Sequence, residues 1–524
     1  MKKGTVIFSL SLIILLISYT CLFSDESQDV SPKLLPSYKT LSFLSKIDQL
    51  FPDYSKNSPK KTPTLFLGYK SALSGEDFPL RIKDETAQFS TAALYPKPFT
   101  LNLAPALYIT TKLRKDHGTA VFQISGINAI VWAFDKYIMK ESWADISFNT
   151  IVENFKYGYG WDNEGFITNQ FSHPYHGAMY HSVSRANGLS FLESTVYTFL
   201  GSFMWEFFLE AERPAANDSI MTTLGGMTLG ETLFRVAGLV VDENATGIGR
   251  ILREILAFYI NPAYGYRFFS GKASRLGNTP KKRHYSLRFP VGAYSSFTAK
   301  PGFLVATQLE YKDVFKKEHS EIHPYDWFSF DLRVGFSEKG LHDKEIFSTG
   351  ILTGKKVKNR LVGLFGTFNY IDTYTAQKMS AVGVGPGLVV VSDSESSLFF
   401  NGSGVVSVIF GGSSPSLDVK DESAGSEIER SYYLGPGMLG RFMMELGRRG
   451  LGSIHTGFSQ YWVHCAFTNT NEFLSILSLN LRYDLSRNSQ LSLGYEYYLR
   501  QAKNQEQRFT GTQDTVRALY VFKF

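Results

Sequence analysis

From Arg283 onward, hydrophobic and polar positions alternate with a period of two. In the final segment Val516, Ala518, Tyr520, Phe522 and Phe524 share one face, and Arg517 and Lys523 share the other. Leu477, Leu479, Leu481 and Tyr483 alternate with Ser478, Asn480, Arg482 and Asp484. Leu491, Leu493, Tyr495, Tyr497 and Leu499 alternate with Ser492, Gly494, Glu496, Tyr498 and Arg500. Phe328, Phe330, Leu332, Val334 and Phe336 alternate with Ser329, Asp331, Arg333 and Gly335. Successive side chains of a strand point to opposite faces, so these runs predict β-strands with one apolar face. About twelve such segments fit between Arg283 and Phe524.

Upstream the pattern is helical. It predicts helices over Thr119–Tyr137, Trp143–Phe155, Tyr175–Ala186, Ser190–Ala211, Asp218–Val241 and Gly249–Tyr259. Residues 88–113 pattern as an extra hairpin. Residues 25–63, with five prolines among Ser and Lys, read as an extended leader with a short helix around Leu41–Phe51. No internal repeat of fixed period is visible.

Two architectures offer strands with one apolar face. In a soluble sandwich the apolar face turns inward; in a membrane barrel it turns to lipid and the charged face lines the lumen. Connection lengths favour the barrel. From the fourth strand on, short connections at 355–358, 393–396, 447–450 and 486–488 alternate with mostly longer ones at 411–427, 468–472 and 501–513. Short periplasmic turns and longer outer loops produce this parity. The connection from Phe315 to Tyr325 breaks it, which questions one strand assignment there. An alternating last strand that ends on an aromatic residue resembles the closing strand and assembly signal of bacterial outer-membrane barrels. The resemblance implies the barrel assembly machinery as a partner through Phe524, and outer-membrane lipids as surroundings.

The N-terminus agrees with export. Lys2 and Lys3 precede an apolar run from Val6 to Ile17, a basic region and core of secretory length, with a cleavage point near Ser24. Cys21 offers lipidation as an alternative, although Tyr19 and Thr20 match that motif poorly. Removing residues 1–24 takes two lysines and lowers the formal charge from +6 to +4, which suggests no nucleic-acid partner. The only cysteines are Cys21 and Cys465, so no disulfide framework is expected in the mature chain. Aromatics reach 15% of residues, with 29 Tyr and 43 Phe, which suits interfacial girdles. The resulting division is a signal peptide (1–24), a leader (25–87), a mostly helical domain (88–282) and a barrel (283–524). The fold class is α+β, a helical N-terminal domain followed by an antiparallel transmembrane barrel of about 12 strands. Gly118 to Phe134 carries no charge but is only 17 residues long, and Glu193, Glu206, Glu210, Glu231 and Arg235 interrupt the next apolar stretches. A bilayer span needs about 20 apolar residues, so the helices are placed in the periplasm or packed in or against the barrel.

The candidate chemistry lies among those helices. Glu206 and Glu210 stand four apart beside Trp205, Phe207 and Phe208. Two carboxylates in an apolar setting raise at least one pKa, which serves proton transfer; neutralisation by Arg213, Arg235 or Arg253 is the blander expectation. His173 and His176 flank Pro174, a residue that suits a helix start at Tyr175. The catalytic candidates are therefore His173, His176, Glu206 and Glu210. Asn217-Asp218 sits where a helix begins, and a cap is the simplest role for Asp218. Gly226 and Gly230 lie one turn apart and bare one helix face to a second backbone. Glu231 and Arg235, like Arg250 and Glu254, are spaced for intrahelical ion pairs. Arg213, Asp218, Glu231, Arg235, Arg253 and Glu254 are thus expected to form structural polar contacts. There is no His-Glu-x-x-His, no cysteine ligand set and no phosphate-binding glycine loop, so neither a metal nor a cofactor is implied. Ser172 and Ser202 lack a Gly-x-Ser-x-Gly elbow.

The order His173-Pro174-Tyr175-His176-Gly177, Arg185-Ala186-Asn187-Gly188, Glu193-Ser194, Gly201-Ser202, Trp205-Glu206, Glu210, Arg213-Pro214 and Asn217-Asp218 continues with Gly225-Gly226, Leu229-Gly230-Glu231, Arg235, Arg253-Glu254 and Asn261-Pro262. It resembles the domain-of-unknown-function family 3943 of predicted bacterial envelope proteins, over roughly Trp161 to Arg267. The resemblance implies a domain and no established activity. Glu210, Arg213, Asp218, Gly226 and Gly230 also resemble the pattern of VanZ-like membrane proteins, without its Gln after the Glu or its Asn before the first Gly; no function is transferred from it. The expected function is an outer-membrane barrel with a periplasmic or lumen-packed helical domain in an envelope structural, binding or transport role. The alternative is an envelope lipid-modifying hydrolase with His173 or His176 as base and Glu206 or Glu210 as its acidic partner.

Overall fold

The structure, a computed structural model, describes residues 115–161, 165–241, 245–263 and 285–524, the last range without 297–300, 316–320, 339, 374–377, 393–395, 416–431, 466–468 and 504–507. The signal segment, the leader with its short helix and the hairpin expected over 88–113 lie outside the described residues.

The helical part comprises α1 (His117–Phe134), α2 (Phe148–Tyr157), α3 (His173–Ala186), α4 (Phe191–Phe208), α5 (Ala216–Ile220), α6 (Gly226–Val240) and α7 (Gly247–Ile260). Local signals set the starts. Asp116 accepts from the Thr119 amide at α1, and capping boxes pair Ser147 with Thr150 at α2 and Ser190 with Glu193 at α4. α3 begins at His173 rather than Tyr175, with Pro174 in its first turn, where a missing N–H costs nothing. Three π-helical turns adjoin the helices of the described residues: Asp135–Met139 continues α1, Thr168–Ser172 runs into α3, and Met221–Gly225 joins α5 to α6.

Twelve antiparallel strands form a closed barrel in which each pairs with its sequence neighbours and β1 pairs with β12. They are β1 (Tyr285–Ser295), β2 (Gly302–Tyr311), β3 (Phe328–Ser337), β4 (Gly340–Val357), β5 (Arg360–Asp372) and β6 (Lys378–Val390), then β7 (Leu398–Pro415), β8 (Tyr432–Arg448), β9 (Gly452–Cys465), β10 (Thr470–Ser486), β11 (Ser489–Lys503) and β12 (Arg508–Lys523). The sheet registers put the short connections 358–359, 449–451 and 487–488 at the end where β1 starts and β12 finishes. The long connection 312–327 lies at that same end. It breaks the parity without any strand being misassigned, because it folds back as a 3-10 turn at Asp313–Phe315 and seats Trp327 among Val314, Ile351, Leu361, Phe365 and Val389.

Contacts between distant strands identify the lumen face. Arg288 on β1 reaches Glu445 on β8 at 3.1 Å. Arg333 on β3 reaches Glu496 on β11 at 2.7 Å, and Arg441 on β8 reaches Asp331 on β3 at 3.5 Å. Strands that are not neighbours meet this way only through the interior. Phe328, Phe330 and the other alternate residues of β3 therefore face outward. Over β9 to β12 the outward positions, such as Leu477, Leu479, Leu491 and Phe522, are exposed and apolar. That is the pattern of a wall in contact with lipid.

On β3 to β7 part of the outward face is covered, and the cover is the helical part. The ladder pairs Phe330 with Ser348, Ser348 with Phe368, Phe368 with Val382 and Val382 with Gly411, a continuous row across five strands. Ser348 and Phe368 are fully buried. The Thr232 hydroxyl meets Ser348 Oγ at 2.7 Å, and Met221 lies over Gly411. The segment from Met221 through α6 thus crosses the strands along this row, outside the barrel. Phe166, Met227 and Leu229 share one apolar core with Phe330, Phe368 and Tyr370. The lumen-packed placement is overturned. The interior already holds its own side chains, whereas the outer wall offers an apolar face that the block can bury.

A buried polar cluster as candidate functional site

α3, α4 and α5 converge on one polar cluster. On α3, His176 Nε2 lies 2.9 Å from the Tyr180 hydroxyl, which donates in turn to Asn128 Oδ1 of α1. The His176 ring also packs against Tyr180 and edge-on against Trp205 of α4. Trp205 Nε1 donates to Glu210 Oε1 at 2.6 Å. Glu206 is fully buried, and its Oε2 accepts from the Ala215 amide at 2.7 Å. His173 Nε2 lies 3.7 Å from Asp218 Oδ2. Asn217 donates to both Asp218 Oδ1 and Asn169 Oδ1, and the Ser219 hydroxyl links Ser202 to Tyr159. His173, His176, Glu206, Glu210 and Asp218 are therefore brought together, as the sequence alone could not establish.

Two expectations are corrected. Asp218 is not a cap: α5 begins after Ala215, and Asp218 lies in the first helical turn, where its charge favours the helix N-terminus and its side chain turns to His173. The three arginines expected to neutralise Glu206 and Glu210 are engaged elsewhere. Arg213 donates to the carbonyls of Tyr157, Gly158 and Tyr159, Arg235 binds Glu231, and Arg253 donates to the Val240 carbonyl. The carboxylates instead accept from the Ala215 amide and the Trp205 indole. Asn128 and Tyr180 escaped sequence reasoning; a single Asn inside the charge-free apolar α1 was the available signal.

Burial, reinforced by His173, pushes the His176 pKa down to about 3. The ring keeps some exposed surface, but the aromatic packing around it leaves little room for hydration of a cation. Because the folded value lies below the unfolded one of about 6.5, the unfolded chain takes up the proton first. This contribution is complete above about pH 6.5 and is lost as pH falls toward the folded value. We expect detergent-solubilised protein to lose stability between pH 7 and pH 5 in chemical unfolding, and His176→Asn to lose less over that range. Equal losses would refute the assignment.

A second polar group ties α3 to α6. Glu231 is fully buried and accepts from Arg185 Nε at 2.8 Å and Arg235 Nε at 2.9 Å, with His181 Nε2 at 3.1 Å. Arg235 also donates to the Pro324 carbonyl in the β2–β3 connection, joining this group to the barrel. Arg250 and Glu254 form the expected i,i+4 pair on α7. Beside Glu231 the helices touch by backbone: a Cβ on Gly177 would lie 1.8 Å from the Thr222 carbonyl oxygen, and one on Gly226 would lie 2.5 Å from the Gly177 carbonyl carbon. Gly226 and Gly230 act as the bare face anticipated from their spacing, and Gly177 and Ala178 are the backbone that approaches it. Among the described residues, no group of three or more His, Cys, Asp or Glu is placed to hold a metal ion.

Residues 158–263 match the family model "Domain of unknown function (DUF3943)". The matched segment holds the Glu231 group, the first polar cluster except Asn128, and two of the three π-helical turns among the described residues, a backbone feature that recurs at functional sites. No curated protein matches the chain. Among solved structures, the chain is similar to the porin NanC, with 10% identity, coverage of 45% of this chain and 100% of that one, and a TM-score of 0.26. It is similar to the β-domain of the Bordetella autotransporter BrkA, with 12% identity, coverage of 47% and 100%, and a TM-score of 0.23. It is also similar to an outer membrane channel from Pseudomonas putida F1, with 9% identity, coverage of 47% and 100%, and a TM-score of 0.23.

Proposed function

We propose that this protein is a bacterial outer-membrane barrel with a filled lumen, serving as anchor and scaffold for the DUF3943 segment on its outer wall. Its role is structural or binding rather than diffusive transport. The observation that carries this reading is the content of the lumen. Ion pairs cross it from β1 to β8 and from β3 to β11. Beside them Phe347, Ile371, Ile409, Leu439, Tyr461 and Leu474, from six strands, share one buried apolar cluster. Trp327 and its neighbours fill the end nearest the short turns. An aqueous path needs a polar, hydrated interior, and tight apolar packing across it excludes water. The even strand number and the apolar outward belt support the outer membrane as location. The C-terminal strand closes the barrel, with the Phe524 amide donating to the Leu287 carbonyl; it is the segment an assembly machinery would recognise.

The hydrolase alternative uses His173 or His176 with Glu206 or Glu210. The partners of these groups favour the structural reading. His176 faces Tyr180 and Trp205, Glu210 accepts from Trp205, and Glu206 holds the backbone at Ala215. A side chain committed to internal hydrogen bonds serves packing better than proton transfer. The test is conductance. Full-length protein reconstituted in planar bilayers should give no sustained porin-sized current steps, and liposomes carrying it should not swell in isotonic small sugars. Sustained steps or rapid swelling would remove the filled-lumen reading.

A further inference from the structure

We infer that the outward face of the helical block is immersed in the acyl chains of the membrane that holds the barrel. The inference rests on the chain being a membrane barrel. It starts from where the block sits. On β3 the block buries Phe328 and Phe330 but leaves Phe336 exposed, and on β5 it buries Phe368 and Tyr370 but leaves Val362 and Leu364 exposed. Phe336 lies toward one rim of the barrel and Val362 toward the other, so bare apolar wall flanks the block on both sides. Lipid that reaches this wall also reaches the block.

The outer surface of the block is built for that contact. α7 exposes Ile248, Ile251, Leu252, Ile255, Leu256 and Tyr259, a single stripe at spacings of three and one, with Ile248 75% exposed. α4 exposes Leu192, Val196, Phe199 and Leu200, and α1 exposes Val121, Phe122 and Ile130, with Leu192 at 73% and Phe122 at 76%. On α1 and α4 charges stand at the helix ends, whereas α7 carries the Arg250–Glu254 pair and Arg253 beside its stripe. Lys115 pairs with Glu193 where α1 and α4 begin, Lys136 pairs with Asp145 beyond the end of α1, and Arg213 follows α4. Between Glu193 and Phe208 the one Asp, Glu, Lys or Arg of α4 is Glu206, which is fully buried. On α1 and α4 an apolar surface free of exposed charge between charged ends repeats the design of the barrel belt. α1 and α4 have 18 residues each, about 27 Å. Among the described residues no helix is long and apolar enough to cross a membrane, so the block lies in the bilayer against the wall instead of forming separate spans.

The test uses nitroxide labels on single cysteines in the full chain reconstituted in liposomes, with Cys21 and Cys465 replaced by serine. Labels at Phe122, Val196 and Ile251 report the block, and a label at Leu479 reports the barrel belt. Collision rates with molecular oxygen and with a water-soluble nickel chelate are measured at each. The three block labels should show the same excess of oxygen over nickel as Leu479. High nickel collision at the block, with Leu479 lipid-like, overturns the inference and leaves the barrel reading intact. Low collision with both reagents also overturns it, since protein, either residues 20–101 or a second copy, then covers the face. A water-exposed label at Leu479 removes the membrane-barrel reading itself.

Discussion

Glu231→Ala is expected to prevent accumulation of folded protein. The substitution leaves Arg185 and Arg235 facing each other across the space their shared carboxylate occupied. Breaking a buried ion pair by removing one partner costs about 3–5 kcal/mol, against a total stability of about 5–15 kcal/mol for ordinary domains. Arg235 also fastens α6 to the Pro324 carbonyl, so the damage reaches the join between block and barrel. Glu231→Gln keeps the shape and one acceptor oxygen but loses the charge and turns an NH2 donor toward the surrounding donors, and should fall between alanine and the native chain. The measurements are the amount of protein in the membrane fraction and the protease resistance of the helical block. Native abundance and resistance in the alanine variant would contradict the assigned role. Acid should act in the same direction. Burial alone would raise the Glu231 carboxyl, but Arg185 and Arg235 outweigh it and hold the pKa well below the usual carboxylate range. The stabilisation is therefore present above the unfolded carboxyl pKa and is lost as pH falls through the depressed folded value.

Gly177→Val should separate α3 from α6. The added carbon meets backbone at 1.8 Å, so no side-chain rotation relieves the clash, and the helices must move apart. Overpacking costs about 1–3 kcal/mol where side chains can adjust, and a backbone clash belongs at or above the upper end. Separation also loosens the His181–Glu231 contact one turn away, so the cost of this substitution and that of Glu231→Ala should not add. Gly126→Ala is the matched control, because a Cβ there meets nothing within 4 Å. It should be neutral or stabilising by about 0.5–1 kcal/mol, as for glycine in a helix interior. Thermal unfolding followed by protease digestion of the block separates the two. Equal behaviour of Gly177→Val and Gly126→Ala would show that the close backbone approach is not needed.

Much of this architecture is written locally in the chain. The period-two runs such as Leu477 to Asp484 mark strands because neighbouring side chains must face opposite environments. Ser190 and Glu193 mark a helix start because free amides there need acceptors. The spacing of Gly226 and Gly230 foretold a close helix contact, and that of Glu231 and Arg235 an ion pair, because both are properties of a single helix. The partners were not legible. Arg185 and His181 reach Glu231 from 46 and 50 residues away, and Gly177 meets Thr222 across two helices. Glu206 and Glu210 looked like carboxylates waiting for arginines, yet the fold delivers a backbone amide and an indole. The hardest point was the face of β3. Phe328 and Phe336 follow one alternation, but the first is covered by the helical block and the second is bare. A hydrophobic pattern records that a side chain leaves water, and it does not record whether lipid or protein receives it. The sequence by itself determined that there would be a barrel, a helical block and polar groups within that block. Only the tertiary structure decided that apolar side chains from six strands meet inside the barrel and that the block packs on the outward face of the strands, since both depend on which distant apolar faces find each other.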